Sequence, residues 1–94
     1  MTPTKVTNPL AKCLRTVGDD SRLNILCVLI RTKKSCVSDI AEALHTSVAS
    51  VSHHLLVLAK EGILVSKREG KQVSYSLSQE KFVTDLKKFI CKYK

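Results

Sequence analysis

Apolar residues recur along the chain with two different periods, and the change of period divides it. Leu10, Cys13, Leu14 and Val17 repeat at i, i+3, i+4 and i+7, one face of a helix, with Asn8 placed to cap it and Pro9 suited to its first turn. Gly18 ends that helix, and Asp19-Asp20 opens a second one carrying Leu23, Ile25, Leu26, Cys27, Val28, Leu29 and Ile30. This second helix is apolar nearly all round, so it is expected at the buried centre. Arg31 to Lys34 reads as a solvated turn. Ser35 is the expected N-cap of a short third helix ending at Leu44, with Val37, Ile40, Ala41 and Leu44 as its inner face. His45-Thr46-Ser47 leads into a fourth helix from Val48 to Lys60, and Glu61-Gly62 closes it with Gly62 as the C′ glycine.

From Ile63 the period drops to two. Val73, Tyr75 and Leu77 alternate with Ser74 and Ser76, as in a strand with one buried face, and Gly70 supplies the positive φ of a tight turn. A β-hairpin over residues 63–77 follows. Ser78 is expected to cap a last helix over 79–93, whose Phe82, Leu86, Phe89 and Tyr93 form one stripe flanked by Val83 and Ile90. Residues 1–7 read as a flexible tail and 8–94 as one domain, mainly α with a β-hairpin wing. Helices joined as closely as those within 37–60 make a helix-turn-helix. Followed directly by a hairpin, they make a winged helix-turn-helix.

A chain this short buries only about 60–65% of its unfolded surface, so a homodimer joined through the apolar stripes of the helices at 8–17 and 79–93 is expected. With four aromatic residues and no Trp, the core must come from Leu, Ile, Val and Ala. Sixteen Lys and Arg against eight Asp and Glu leave a net charge of +8, which favours a polyanionic partner. The start of the chain is polar, and the longest apolar run, Ile25 to Ile30, falls far short of the ~20 residues that span a bilayer. A cytoplasmic protein without a membrane role is expected, with Cys13, Cys27, Cys36 and Cys91 as reduced thiols. No C-x-x-C pair is present, which argues against a zinc ribbon or a thioredoxin-type enzyme.

The fourth helix can be read at about 100° per residue. With Val48 at zero, Val51, Leu55 and Leu58 lie within about 80° of it and face the core. Thr46, Ala49, Ser50 and His53 cluster opposite. With Ser47 in the connection, they form a small, uncharged surface suited to the major groove, where Ser50 and His53 can bond base edges. His54 falls at the edge of the core face and reads as structural. Lys67, Arg68 and Lys71 at the hairpin tip are placed for phosphates or a minor groove. Double-stranded DNA is therefore the expected partner. The competing reading is a protein-interaction module on the same scaffold. No nucleophile–base–orienter set points to an enzyme.

Gly18 to Leu26, Ser35 to Leu44, Val51 to Leu55 and Arg68 to Leu77 together resemble the signature blocks of the ArsR/SmtB family, in its order and spacing. The resemblance covers nearly the whole chain. It implies a homodimeric repressor that binds a two-fold symmetric operator and is released by an inducer. The family's metal site at the last helix is not matched, because Gln79, Lys81 and Lys92 stand at its positions. The family's thiolate site uses Cys-Val-Cys, where this chain has Cys36-Val37-Ser38, one soft ligand instead of two. Cys13 lies on the inner stripe of its helix and reads as core, an approach to Cys36 across a dimer being the alternative.

Cys27 matches a cysteine of the persulfide-sensing branch, whose partner lies at the end of the last helix. Cys91 stands near that place, one helical turn early, or about 5 Å. Three readings of the inducer stay open: modification of a Cys27/Cys91 thiol pair, a thiolate-bound metal or metalloid at Cys36 with Cys13, or another signal or none.

Overall fold

The computed structural model describes residues 9–93. The expected tail and the Asn8 cap lie outside them. In chain order the elements are α1 (Pro9–Val17), α2 (Asp20–Thr32), β1 (Ser35–Cys36), α3 (Val37–Leu44), α4 (Val48–Lys60), β2 (Leu64–Glu69), β3 (Gln72–Leu77) and α5 (Lys81–Tyr93). Among the described residues, no helix is long and apolar enough to cross a membrane.

The second helix occupies the centre, as its all-round apolarity predicts. Asp19 caps it by accepting from the Arg22 backbone N–H, and Ile25, Leu26, Val28 and Leu29 are buried. Against them pack Ile40 and Ala41 of α3, Val51, Leu55 and Leu58 of α4, and Ile63 and Leu64 at the start of β2. Two of the last helix's apolar residues, Val83 and Ile90, are buried in the same chain. Its aromatic residues are not: Phe82, Phe89 and Tyr93 stay exposed, as do Leu10 and Leu14 of α1. Both stripes are thus split into a side that closes the single-chain core and a side that faces outward.

The sheet has three antiparallel strands in the order β1-β3-β2, one more than the expected hairpin. Ser35 pairs with Tyr75 and Cys36 with Ser74. This corrects Ser35 as a helix cap, because its backbone belongs to the ladder and its hydroxyl lies 2.8 Å from that of Thr32. Cys36 takes the N-cap position of α3 without a side-chain cap bond. The short strand satisfies the outer edge of β3 and ties the hairpin to the end of α2.

Within the hairpin, Glu69 pairs with Gln72 across a two-residue turn, and Gly70 has φ +66°. A positive φ at the first central position alone matches a type II′ turn, which suits the twist of the flanking strands. At the other end of α4, Gly62 has φ +79° and donates to Ala59 O, as expected of a C′ glycine. Ser78 does not cap α5 directly. Its hydroxyl accepts from the Glu80 N–H at 3.1 Å, and the helix begins at Lys81, later than expected.

Candidate nucleic-acid interface

The helix-turn-helix is set by two backbone devices. His45 adopts the left-handed conformation, φ 54° and ψ 46°, and stops α3 by donating to Ala41 and Glu42 carbonyls. Ser47, extended at φ −77° and ψ 150°, starts α4 by accepting from the Ser50 N–H at 3.1 Å. One acceptor site of the Ser47 hydroxyl is thereby engaged in the cap, while its O–H can still donate outward. Thr46, Ser47, Ala49 and His53 are exposed and Ser50 is half-buried, so the structure brings the predicted helix-face residues together on one open surface. No carboxylate lies on α4.

Val48 departs from the helical-wheel reading. It served as the reference for the core face, yet it is 53% exposed. The first turn of α4 stands clear of the core, and Val48 instead lines a shallow groove with Cys36, Val37, Ser38, Gln72 and Val73. An angle alone could not reveal this, because the wheel gives direction around the axis and not where along it the core ends.

His54 is fixed from below. Arginine has no acceptor, so Arg22 Nη1 donates to His54 Nδ1 at 3.3 Å, while Arg22 Nε donates to Thr16 O at 2.7 Å. One guanidinium therefore links the end of α1, the start of α2 and the middle of α4. Its role was not visible from the sequence, because the partner lies 32 residues away. Nearby, the backbone N–H of Arg22 holds the Asp19 carboxyl below the usual carboxylate range, with help from the Arg22 charge.

On the wing, Lys67 and Arg68 are exposed on β2, and Lys71 is exposed in the turn. Antiparallel partners share a face, so Lys67 lies beside Ser74 on one side and Arg68 beside Val73 on the other. The hairpin's one acidic residue, Glu69, is bound by Lys34 at 3.0 Å, and that bond together with the Lys34 charge lowers its pKa. With Glu69 bound to Lys34 and only its weaker charge interaction with Lys67 besides, the tip keeps a net positive charge.

The thiols are dispersed. Cys13 is buried beside Leu10, Glu61 and Phe82, and burial pushes its thiol pKa up, with the Glu61 charge acting in the same direction. Cys27 lines an apolar groove of about 350 Å³ between α1, α2 and α5, with Leu14, Phe89 and Tyr93 around it. Cys91 is exposed and does not line that groove. Within one chain Cys27 and Cys91 are both free thiols. Cys36 Sγ lies 3.4 Å from the Ser38 hydroxyl. A thiophilic ion needs several thiolates. Among the described residues no group of three or more His, Cys, Asp or Glu is placed to hold a metal, and burial disfavours the Cys13 thiolate. The donors of one chain do not fit a bound metal or metalloid.

The family described as "Bacterial regulatory protein, arsR family" matches residues 19–66, the span from the α2 cap through α4 into the wing. The chain belongs to the arsR family. Among curated relatives of this arsR-family chain, a cadmium resistance transcriptional regulatory protein CadC homolog from Staphylococcus aureus is 41% identical over 75 residues. That match covers 78% of this chain and 62% of the relative, less than two thirds of its length. Among solved structures, the transcriptional repressor PagR of Bacillus anthracis superposes with a TM-score of 0.77 at 28% identity, covering 87% of this chain and 92% of that one. The homodimeric winged helix-turn-helix DNA-binding domain Mb0332 from Mycobacterium bovis gives 0.79 at 25% identity, covering 90% and 77%.

Proposed function

We propose that this arsR-family chain is a homodimeric transcriptional repressor that reads a two-fold symmetric operator and lets go when a thiol is modified. The observation that carries the reading is the pairing of an open, carboxylate-free α4 face with a wing whose only acid is neutralised by Lys34. Thr46, Ser47, Ala49, Ser50 and His53 then meet base edges and the flanking backbone, and Lys67, Arg68 and Lys71 meet phosphates or a minor groove. Val48 joins them as an apolar contact of the kind that reads a thymine methyl.

A dimer is supported by the outward sides of α1 and α5 and by the homodimeric Mb0332 domain. Two copies related by a two-fold axis place their α4 helices about 34 Å apart, one turn of duplex. The name of the CadC homolog supports a metal as inducer, but the donor set described above does not. Thiol chemistry at Cys27 is favoured, because its groove is lined by the stripe residues Leu14, Leu86, Phe89 and Tyr93, so a change at the thiol is felt where the two copies meet.

The test separates the repressor from an interaction module on the same fold. Replacing Lys67, Arg68 and Lys71 by Ala in both protomers removes six charges. If all six contact phosphates, the slope of log affinity against log salt becomes shallower by about 5. An unchanged slope with unchanged regulation in cells would support the interaction module instead.

A further inference from the structure

An open groove of about 490 Å³ lies at the base of the wing, where the end of α2, the end of β3 and the start of α5 meet. Its floor is apolar, with Leu29, Leu77 and Val83. Its rim is cationic, with Lys33 and Lys34 from the end of α2 and Lys87 from α5. No Asp or Glu lines it. Lys34 is bound by Glu69, whereas Lys33 and Lys87 have no ion-pair partner among the described residues.

The lip is held in place by the backbone. Lys33 donates its N–H to Leu29 O at 2.8 Å and sits at φ 74° and ψ −40°, a region that L side chains rarely occupy. The groove is also independent of the dimer stripe. Around the α5 axis, Val83, Thr84 and Lys87 lie about 90°, 170° and 130° from the centre of Phe82, Leu86, Phe89 and Tyr93. Pairing through that stripe leaves the groove open.

We propose that this groove is a binding site for a small organic carboxylate, its hydrocarbon body on Leu29, Leu77 and Val83 and its carboxylate between Lys33 and Lys87. Two unpaired ammonium groups beside an apolar floor suit a ligand that is anionic at one end only. A bare phosphate would leave the floor to water, and a neutral ligand of the same shape would leave the ammonium groups unanswered. Bound there, the ligand would touch the root of the wing and α5 together, so occupancy would shift the wing relative to the dimer helix. That consequence rests on the repressor reading; the binding does not.

The binding is tested by titrating the full chain, labelled with ¹⁵N, with benzoate, hexanoate, benzamide and inorganic phosphate. Benzoate and hexanoate are expected to give saturable shifts centred on Lys33, Leu77, Val83 and Lys87. Benzamide and phosphate are expected to bind at least about tenfold more weakly, as is either carboxylate to the Lys33→Gln/Lys87→Gln protein. The exposed single variant Lys87→Gln gives the same direction of change should the double variant not fold. Equal binding of benzamide, phosphate matching the carboxylates, shifts centred elsewhere, or no saturation by about 10 mM overturns the proposal. It is also overturned if the lysine substitutions weaken duplex binding without any ligand, since the lysines then belong to the DNA face. Duplex affinity measured with and without benzoate reads the coupling: a shift that the double variant abolishes supports it, and equal affinity overturns it. Intact benzoate binding in a protein that binds no duplex would contradict the repressor reading alone.

Discussion

Replacing Phe89 by Ala tests how two copies associate. Phe89 is 62% exposed in the single chain, its ring lying 5.0 Å from that of Tyr93, centroid to centroid, on the lip of the groove beside Cys27. A large aromatic presents roughly 200 Å² of surface, so about 120 Å² of Phe89 remains for a partner to cover. At about 25 cal/mol per Å², full coverage contributes about 3 kcal/mol, of which Ala retains about a third. A two-fold interface counts the loss twice, about 4 kcal/mol, or roughly a thousandfold in the dimer dissociation constant. The single-chain fold has little to lose, because Val83 and Ile90 hold α5 to the core. Sedimentation equilibrium over a range of concentrations reads the constant, and circular dichroism reads the fold. A dimer constant within a few-fold of the parent protein's would refute the assignment of the stripe. So would loss of helix content in step with dissociation, which would place Phe89 in the single-chain core.

Leu55 has no exposed surface, so Leu55→Ala is expected to lower the unfolding free energy by about 2–5 kcal/mol in urea denaturation, whereas Leu56→Ala, exposed on the same helix, changes it little. The Asp19 carboxyl is depressed in the folded chain, so its contribution to stability is present above the ordinary carboxylate pKa and is lost as pH falls through the folded value. Asp19→Ala should therefore destabilise at neutral pH and narrow the gap from the parent protein under acid, read as thermal melts across pH. A persulfide donor is expected to weaken duplex binding of the parent chain and leave Cys27→Ser unaffected; equal loss in both variants rules Cys27 out as the responsive thiol.

The elements legible in the sequence were those whose pattern is local. The alternation of Val73, Tyr75 and Leu77 announced a strand, and Gly70 the turn before it, because each needs only its neighbours in sequence. The inner face of α4 followed from helical angle for the same reason. Three features depend on contacts distant in sequence and were not legible. Ser35 and Cys36 carry no strand pattern of their own, and only the free edge of β3 makes them one. Val48 has the right angle for the core but lies a turn beyond its end. The Arg22–His54 bond joins two helices through side chains 32 residues apart in sequence. In the last helix the stripe was visible, but its division between Val83 and Ile90 inward and the aromatic residues outward appears only once α5 is docked. The candidate DNA face was legible because it is an absence, a helix side without bulk or carboxylates, and an absence can be counted in sequence. The thiols were not, because pairing or metal ligation is a matter of distance.

Fluorescence anisotropy of the purified chain on the duplex upstream of its own gene, set against a shuffled duplex of equal composition, distinguishes an operator-reading dimer from a module that ignores DNA sequence. An operator-reading dimer is expected to prefer the native duplex at least about a thousandfold at physiological salt, with two chains bound per site. Equal affinity for the two duplexes, or binding by a single chain, would contradict it.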